Sequence, residues 1–255
     1  MNAPHRNHDR NHDRNQTGAR EVSRALTFQR FTDHLTHDLG GGPRPWQFNH
    51  LINFFKAGTP IWLLGLMWWY EAWGSREWIY FALHGGYGLV WLIKDLAFPD
   101  PAWQRRVTLA GSAMSVLGVL GWYWAFGWLL MSGHAQASYP LPESAWLALC
   151  VLVCLLGCVI MIAADAQKYF MLRERPGLIT DGMFRHIRHP NYLGEILIYA
   201  SFAALVWHWL PWLVLGWVWL GVFAVNMRVK ELRMARHPGW QDWRRRTWWL
   251  VPGLL

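Results

Sequence analysis

Apolar residues in this chain come in long blocks rather than in alternating or one-faced patterns. Six stretches are mostly apolar, at roughly 50–72, 77–97, 107–132, 145–167, 191–208 and 211–227. Runs of roughly 18 or more apolar residues predict helices that span a bilayer. The first stretch carries Lys56 and Pro60 and the second His84 and Lys94, so these two are less apolar than the rest. The last two are separated only around 209–211, which predicts a tight helical hairpin. The segments are too many and too regular for the core of a soluble domain. The pattern predicts an all-α, polytopic membrane protein with about six transmembrane helices.

Composition agrees: 53% of the 255 residues are hydrophobic and 21 are Trp, well above soluble usage. Lys and Arg in the short loops set the orientation. Arg105 and Arg106 lie in the second loop, and Lys168, Arg173, Arg175, Arg185 and Arg188 in the fourth. Arg228, Lys230, Arg233, Arg236 and Arg244 to Arg246 follow the last stretch. The loop SGHAQASYPLPES has neither Lys nor Arg, the first loop has only Arg76, and the fifth has none. This alternation predicts both termini in the cytoplasm. The net charge of +8 is then a topology signal. No soluble basic domain exists to make it a nucleic-acid surface.

Three units follow. Residues 1–45 form a basic, His-rich tail, 46–159 carry four membrane helices, and 160–255 carry the last two and a cytoplasmic tail. The repeat RNHDRNHDRN in 1–20 lacks packing residues and predicts disorder next to anionic lipid. His5, His8 and His12 are also a weak metal-binding option. No apolar core follows to make it a signal peptide. Leu26, Phe28, Phe31 and Leu35 have helical spacing, which predicts an interfacial helix within 21–45, ended by GGGPRP. Cys150, Cys154 and Cys158 recur every four residues. They read as small packing residues, with a soft-metal site as the alternative.

The polar residues that need an account are in RHPNYLGE, 188–195, at the mouth of the fifth stretch. Arg185 and Arg188 could serve only to snorkel to lipid phosphate. Asn191, Tyr192 and Glu195 are not explained that way. Pro190 fits the first turn of a helix. Asn191 and Glu195 then share a face at i, i+4. Arg188 and His189 stand beside free backbone N–H groups, an arrangement suited to an anion. Asp165, Gln167, Lys168, Arg173 and Arg175 precede this segment, and Arg228, Lys230 and Glu231 follow the sixth stretch. Three segments thus bring cations, carboxylates and amides to one membrane face, where a polyanionic cofactor would bind.

At these residues the chain resembles a superfamily that joins steroid 5α-reductases, sterol Δ14-reductases and the lamin B receptor with isoprenylcysteine carboxyl methyltransferases. The resemblance covers roughly 160–255. An Arg-His-Pro-x-Tyr-x-Gly core is common to both branches. Asn191 before Tyr192, with an acid at 195, is similar to the reductase pattern. So are Gln167-Lys168 followed by Arg173, and Arg228-Val229-Lys230-Glu231, where methyltransferases more often have two adjacent glutamates. Trp240 and Trp243 stand where Tyr is common. The Gln-Glu pair that 5α-reductases turn toward their steroid has only Tyr70-Glu71 as its nearest analogue.

The resemblance implies an NADPH-dependent reductase of a carbon–carbon double bond in a steroid-like or isoprenoid lipid. The implied cofactor residues are Asp165, Gln167, Lys168, Arg173, Arg175, Arg185, Arg188, His189, Asn191, Tyr192, Glu195, Arg228 and Glu231. Of these, Asn191 and Tyr192 take the nicotinamide or ribose, and Lys168, Arg173 and Arg175 take the phosphates. Candidate proton donors in the membrane half are Glu71, His84, Tyr87 and Asp95; each has the alternative role of an interhelical hydrogen bond. The runner-up is an S-adenosylmethionine-dependent methyltransferase on the same face, with Glu231 holding the cofactor's amino or ribose groups. A third reading is a non-enzymatic scaffold with a fossil site. No metal, nucleic acid or obligate protein partner is implied; the partners are the bilayer and an apolar lipid.

Overall fold

A computed structural model describes residue 23 and residues 26–135 and 138–254. The expectations for the tail 1–20 lie outside the described residues. The described residues are all-α apart from a two-residue antiparallel clip, β1 (Trp46–Gln47) with β2 (Arg106–Val107), and an isolated parallel bridge between Ile187 and Trp248. All six apolar stretches are helical. A short helix, α1 (26–38), comes first, inside the span predicted for an interfacial helix. Then follow α2 (Phe48–Trp69), α3 (75–97), α4 (Leu109–Met131), α5 (Glu143–Glu174), α6 (Pro190–Val206), α7 (Trp209–Met234) and a short α8 (Trp240–Arg245).

Among the described residues, α4, α5 and α7 are long and apolar enough to cross a membrane, and α6 is a shorter apolar helix. Ile61, Trp68, Ile93, Leu117, Leu152, Val159, Leu213 and Leu220 all point outward and are exposed. In water such a surface would be a liability. Against hydrocarbon it carries no cost, which marks this as an integral membrane protein. Polar residues lie inside instead.

The connections stitch the two ends of the bundle differently. At one end the clip ties the start of α2 to the start of α4, and Lys168 on α5 donates to Asp100 in the α3–α4 loop at 2.7 Å. The segment after α7 returns to the same end. The Trp248 N–H donates to the His186 carbonyl, and the Arg188 N–H donates to the Trp248 carbonyl. At the opposite end the contacts are aromatic: Trp146 donates to the Ala204 carbonyl and Trp128 to the Tyr70 hydroxyl. The predicted hairpin turns at Trp207, whose φ of 50° is left-handed, and the His208 side chain caps α7 by accepting from the Leu210 N–H.

Helices α5 and α6 cross at two glycines. A Cβ on Gly157 would meet the Gly194 carbonyl at 2.7 Å, and one on Gly194 would meet the Met161 N at 2.6 Å. Small residues at a membrane helix crossing let backbones approach this closely. Cys150 and Cys154 are buried packing residues of the core, Cys158 is half-buried, and all three are free thiols.

Candidate functional site

The polar end of the bundle collects charged residues from five elements. Lys94 on α3 pairs with Asp165 on α5 at 2.9 Å, both nearly enclosed. Lys168 pairs with Asp100 nearby. Burial opposes ionisation of Asp100, but the Lys168 ammonium and the Ala102 N–H that donate to it prevail and hold its carboxyl below the usual range. Lys230 on α7 lies over the Tyr192 ring at 4.6 Å. Glu195 on α6 sits in the fields of Lys94, Asp165, Lys56 and Lys230.

The first two turns of α6 are the unusual part. Asn191, Tyr192 and Glu195 make no side-chain hydrogen bond or ion pair among the described residues. Asn191 and Glu195 are half-buried and Tyr192 is buried, yet their polar atoms still reach open space. Their donors and acceptors are therefore free to meet a ligand that enters this space. Just before them, His189 Nε2 is fully buried and makes no hydrogen bond, with Glu231 Oε1 3.9 Å away. Burial first, then Lys230 and Arg188, push the His189 pKa down to about 3, so the ring is neutral at cellular pH. The ring charges in the unfolded chain near pH 6.5 but not in the folded one. Stability is therefore drawn down as pH falls from about 6.5 toward 3.

Other expected residues are engaged in holding the fold. Arg188 donates to Glu231 at 2.5 Å and to the Thr247 carbonyl. Arg228 reaches the other oxygen of Glu231 at 3.6 Å. The expected phosphate and cofactor contacts of Arg188 and Glu231 are thus taken by each other. Gln167 is a clamp as well: its oxygen accepts from the Met183 N–H and its amide donates to the Asp181 carbonyl, both at 2.8 Å. Arg173 donates to the Tyr169 hydroxyl, and Arg175 is exposed with no side-chain partner among the described residues. Arg185 lines an open cavity of about 450 Å³ with Thr180, Asp181, His186 and Arg246. Trp240 and Trp243 pack beneath this cap with Phe184, and Trp243 donates to the Phe184 carbonyl.

The four proton-donor candidates separate. Glu71 is corrected outright as a membrane-half residue: it stands exposed in the turn after α2, at φ 52°, at the end opposite the charges. Asp95 lies at the polar end, accepting from Asn49 at 3.0 Å and Asn53 at 2.7 Å. His84 is buried, shares a 3.0 Å hydrogen bond with the Tyr80 hydroxyl and stacks on Phe202. Tyr87 is buried, with its hydroxyl on Met161 Sδ. Its ring lies 4.0 Å under the Lys56 ammonium. Lys56 was read only as a flaw in an apolar stretch. Its signal was its spacing: Asn49, Asn53 and Lys56 fall on one face of α2, with Thr59 next along it.

A family model described as protein of unknown function (DUF1295) matches residues 109–247. The chain belongs to this family. The match starts at α4, well before the 160 at which the motif resemblance begins, and ends at Thr247, so it takes in Asp165, Lys168, Glu195 and Lys230 of the charged end and the Arg188 clamp, but not Lys94 or Asp100. An uncharacterized protein of Schizosaccharomyces pombe is 45% identical over 49 residues, which is 19% of this chain and 18% of the relative. The match therefore spans less than a fifth of that curated relative.

Proposed function

We propose that this protein is an integral-membrane, NADPH-dependent reductase of a carbon–carbon double bond in an apolar lipid. The observation that carries the reading is the idle set Asn191, Tyr192 and Glu195, next to Lys94, Lys168 and Lys230. Six spans with both termini in the cytoplasm put this set on the face where NADPH is dissolved. The residues fit such a ligand. Its carboxamide and ribose hydroxyls need donors and acceptors such as Asn191, Tyr192 and Glu195. Its phosphates need cations without carboxylate partners, which Arg173, Arg175 and Lys230 are among the described residues. When bound, the cofactor supplies a hydride. The protein's own residues hold the ring, exclude water and deliver a proton. The resemblance to the steroid 5α-reductase-like superfamily supports the same reading. One observation weighs against the methyltransferase: Glu231, its expected cofactor ligand, is already bound by Arg188.

Titration of the purified, detergent-solubilised protein tests this. NADPH should bind saturably. A charge-assisted contact to the 2′-phosphate is worth about 1.5–3 kcal/mol. Arg173→Ala or Arg175→Ala should therefore weaken NADPH by about tenfold to a hundredfold and leave NADH nearly untouched. Saturable S-adenosylmethionine binding without nicotinamide binding overturns the reductase reading. For the topology, Ser138→Cys should be labelled by an impermeant maleimide in intact cells. Labelling only after permeabilisation reverses the orientation.

A further inference from the structure

The cap over the polar end carries a second set of unpartnered side chains, none of them on α6. Thr180, Asp181, Arg185, His186 and Arg246 line an open cavity of about 450 Å³. Small-molecule sites span roughly 300–1,000 Å³. None of the five side chains makes a hydrogen bond or ion pair among the described residues. Asp181 shares the cavity with two guanidiniums and forms an ion pair with neither. The walls hold these opposite charges apart across open space. A ligand that carries both an anion and hydrogen-bond donors can meet them all without breaking a contact of the protein.

The backbone beneath these side chains, by contrast, is pinned from several directions. Gln167 of α5 donates to the Asp181 carbonyl and accepts from the Met183 N–H, both at 2.8 Å. Trp243 of α8 donates to the Phe184 carbonyl at 3.0 Å. The Trp248 N–H donates to the His186 carbonyl at 2.8 Å, and the Arg188 guanidinium reaches the Arg244 and Thr247 carbonyls on either side of Arg246. Wall positions are thus fixed while every lining side chain is free. A fixed frame with idle polar groups loses little entropy when a ligand binds, which is the sense in which a site is preorganised.

We propose that this cavity binds a glycerophosphate group, presented by free glycerol 3-phosphate or by the headgroup of phosphatidylglycerol. The proposal does not rest on the reductase reading. Arg185 and Arg246 offer planar donor forks that match phosphate oxygens. His186 adds a ring N–H. The Asp181 carboxylate only accepts, so it needs hydroxyl or amine donors next to the phosphate, and the Thr180 hydroxyl can serve either way. A neutral diol suits Asp181 better than an ammonium, which would face both guanidiniums. Two cations against one carboxylate leave a positive balance that a phosphate ester neutralises. The lipid source has a further contact: Trp248, bonded through its backbone to His186, leaves its ring 47% exposed at this edge. Exposed Trp rings are common where a protein meets headgroups.

Calorimetric titration of the full-length protein in dodecyl maltoside tests this, with glycerol 3-phosphate, dioctanoyl phosphatidylglycerol, inorganic phosphate, glycerol and dioctanoyl phosphatidylcholine as probes. At least one glycerophosphate should bind saturably, and glycerol and phosphatidylcholine should not. Phosphatidylglycerol binding about tenfold tighter than glycerol 3-phosphate identifies the lipid as the source; equal or weaker binding identifies the free ester. Arg246→Ala and Arg185→Ala should each weaken the glycerophosphate by about tenfold or more, the loss of one charge-assisted contact. Asp181→Ala should lower the preference for glycerophosphate over inorganic phosphate by about threefold to tenfold, because only the former has hydroxyls to donate. All three side chains are exposed and unpartnered, so the variants should unfold at the wild-type temperature. No saturable glycerophosphate binding, or binding that survives both arginine substitutions, overturns the proposal. So does an unchanged preference in Asp181→Ala, which would make the cavity a basic surface without selectivity. NADPH affinity in Arg246→Ala should stay within about twofold of wild type. If it falls in step with the glycerophosphate, the cavity is an arm of the cofactor face and the proposal fails. Glycerophosphate binding by a wild type that binds no NADPH would uphold this site and sink the reductase reading alone.

Discussion

Arg188→Ala should destabilise the protein by about 3–5 kcal/mol, the cost of leaving one member of a buried ion pair behind. The two side chains are 10% and 6% exposed, so neither is rescued by solvent. Glu231 would keep only Arg228, at 3.6 Å, beside a neutral His189. The loss reaches further than one pair. Arg188 also donates to the Thr247 carbonyl, and its backbone N–H holds Trp248. The same residue therefore joins the start of α6, the end of α7 and the returning C-terminal segment. Glu231→Gln should cost less, because the amide oxygen still accepts. Replacing both partners with apolar residues, Arg188→Met with Glu231→Leu, should recover much of the loss. Unfolding in detergent, followed by tryptophan fluorescence, measures all four chains. Losses below about 1 kcal/mol in Arg188→Ala would make the pair a surface ornament.

How far the sequence discloses this molecule follows from the range of the forces involved. Hydropathy is a local, additive property, so all six helices were legible, and their ends differ from the expected ones mostly by a few residues. The largest departures are α5, which runs to Glu174 rather than stopping near 167, and α7, which runs to Met234 rather than stopping near 227. The last turns of α7 carry Arg228, Lys230 and Glu231, which hydropathy discards but which the clamp with Arg188 keeps helical. The polar face was legible too, because Pro190, Asn191, Tyr192 and Glu195 are close in sequence.

Division of labour within that face was not legible. Arg188 and Asn191 look alike as polar neighbours, yet one is locked to a residue 43 positions away and the other is idle. Lys56 and Tyr199 are 143 positions apart, and no periodicity links them. A charge within an apolar stretch signals a buried partner, but only packing says which one. Glu71 shows the reverse error: an acid inside a predicted span looks buried until the helix ends at Trp69, two residues before it.

Gly194→Ala should be the most informative change on the proposed cofactor face, because it moves the site without touching a polar atom. The new methyl would meet the Met161 N at 2.6 Å, the Gly157 carbonyl at 2.7 Å and the Met161 Cβ at 2.8 Å. Two of these are backbone atoms of α5, so no side-chain rotation relieves them. The helices must part, and overpacking of this kind costs about 1–3 kcal/mol. The displacement falls on the residue next to Glu195 and three positions after Asn191. Ligand contacts that depend on α5 and α6 together should fail before the fold does. NADPH affinity should drop at least tenfold at a temperature where circular dichroism still reports a fully helical protein, tenfold being about 1.4 kcal/mol. Gly65→Ala, at a helical glycine whose Cβ would meet nothing within 4 Å, is the control and should leave both readouts unchanged. If Gly194→Ala binds NADPH as wild type does, the ligand does not bridge α5 and α6. The idle residues of α6 would then need a different occupant.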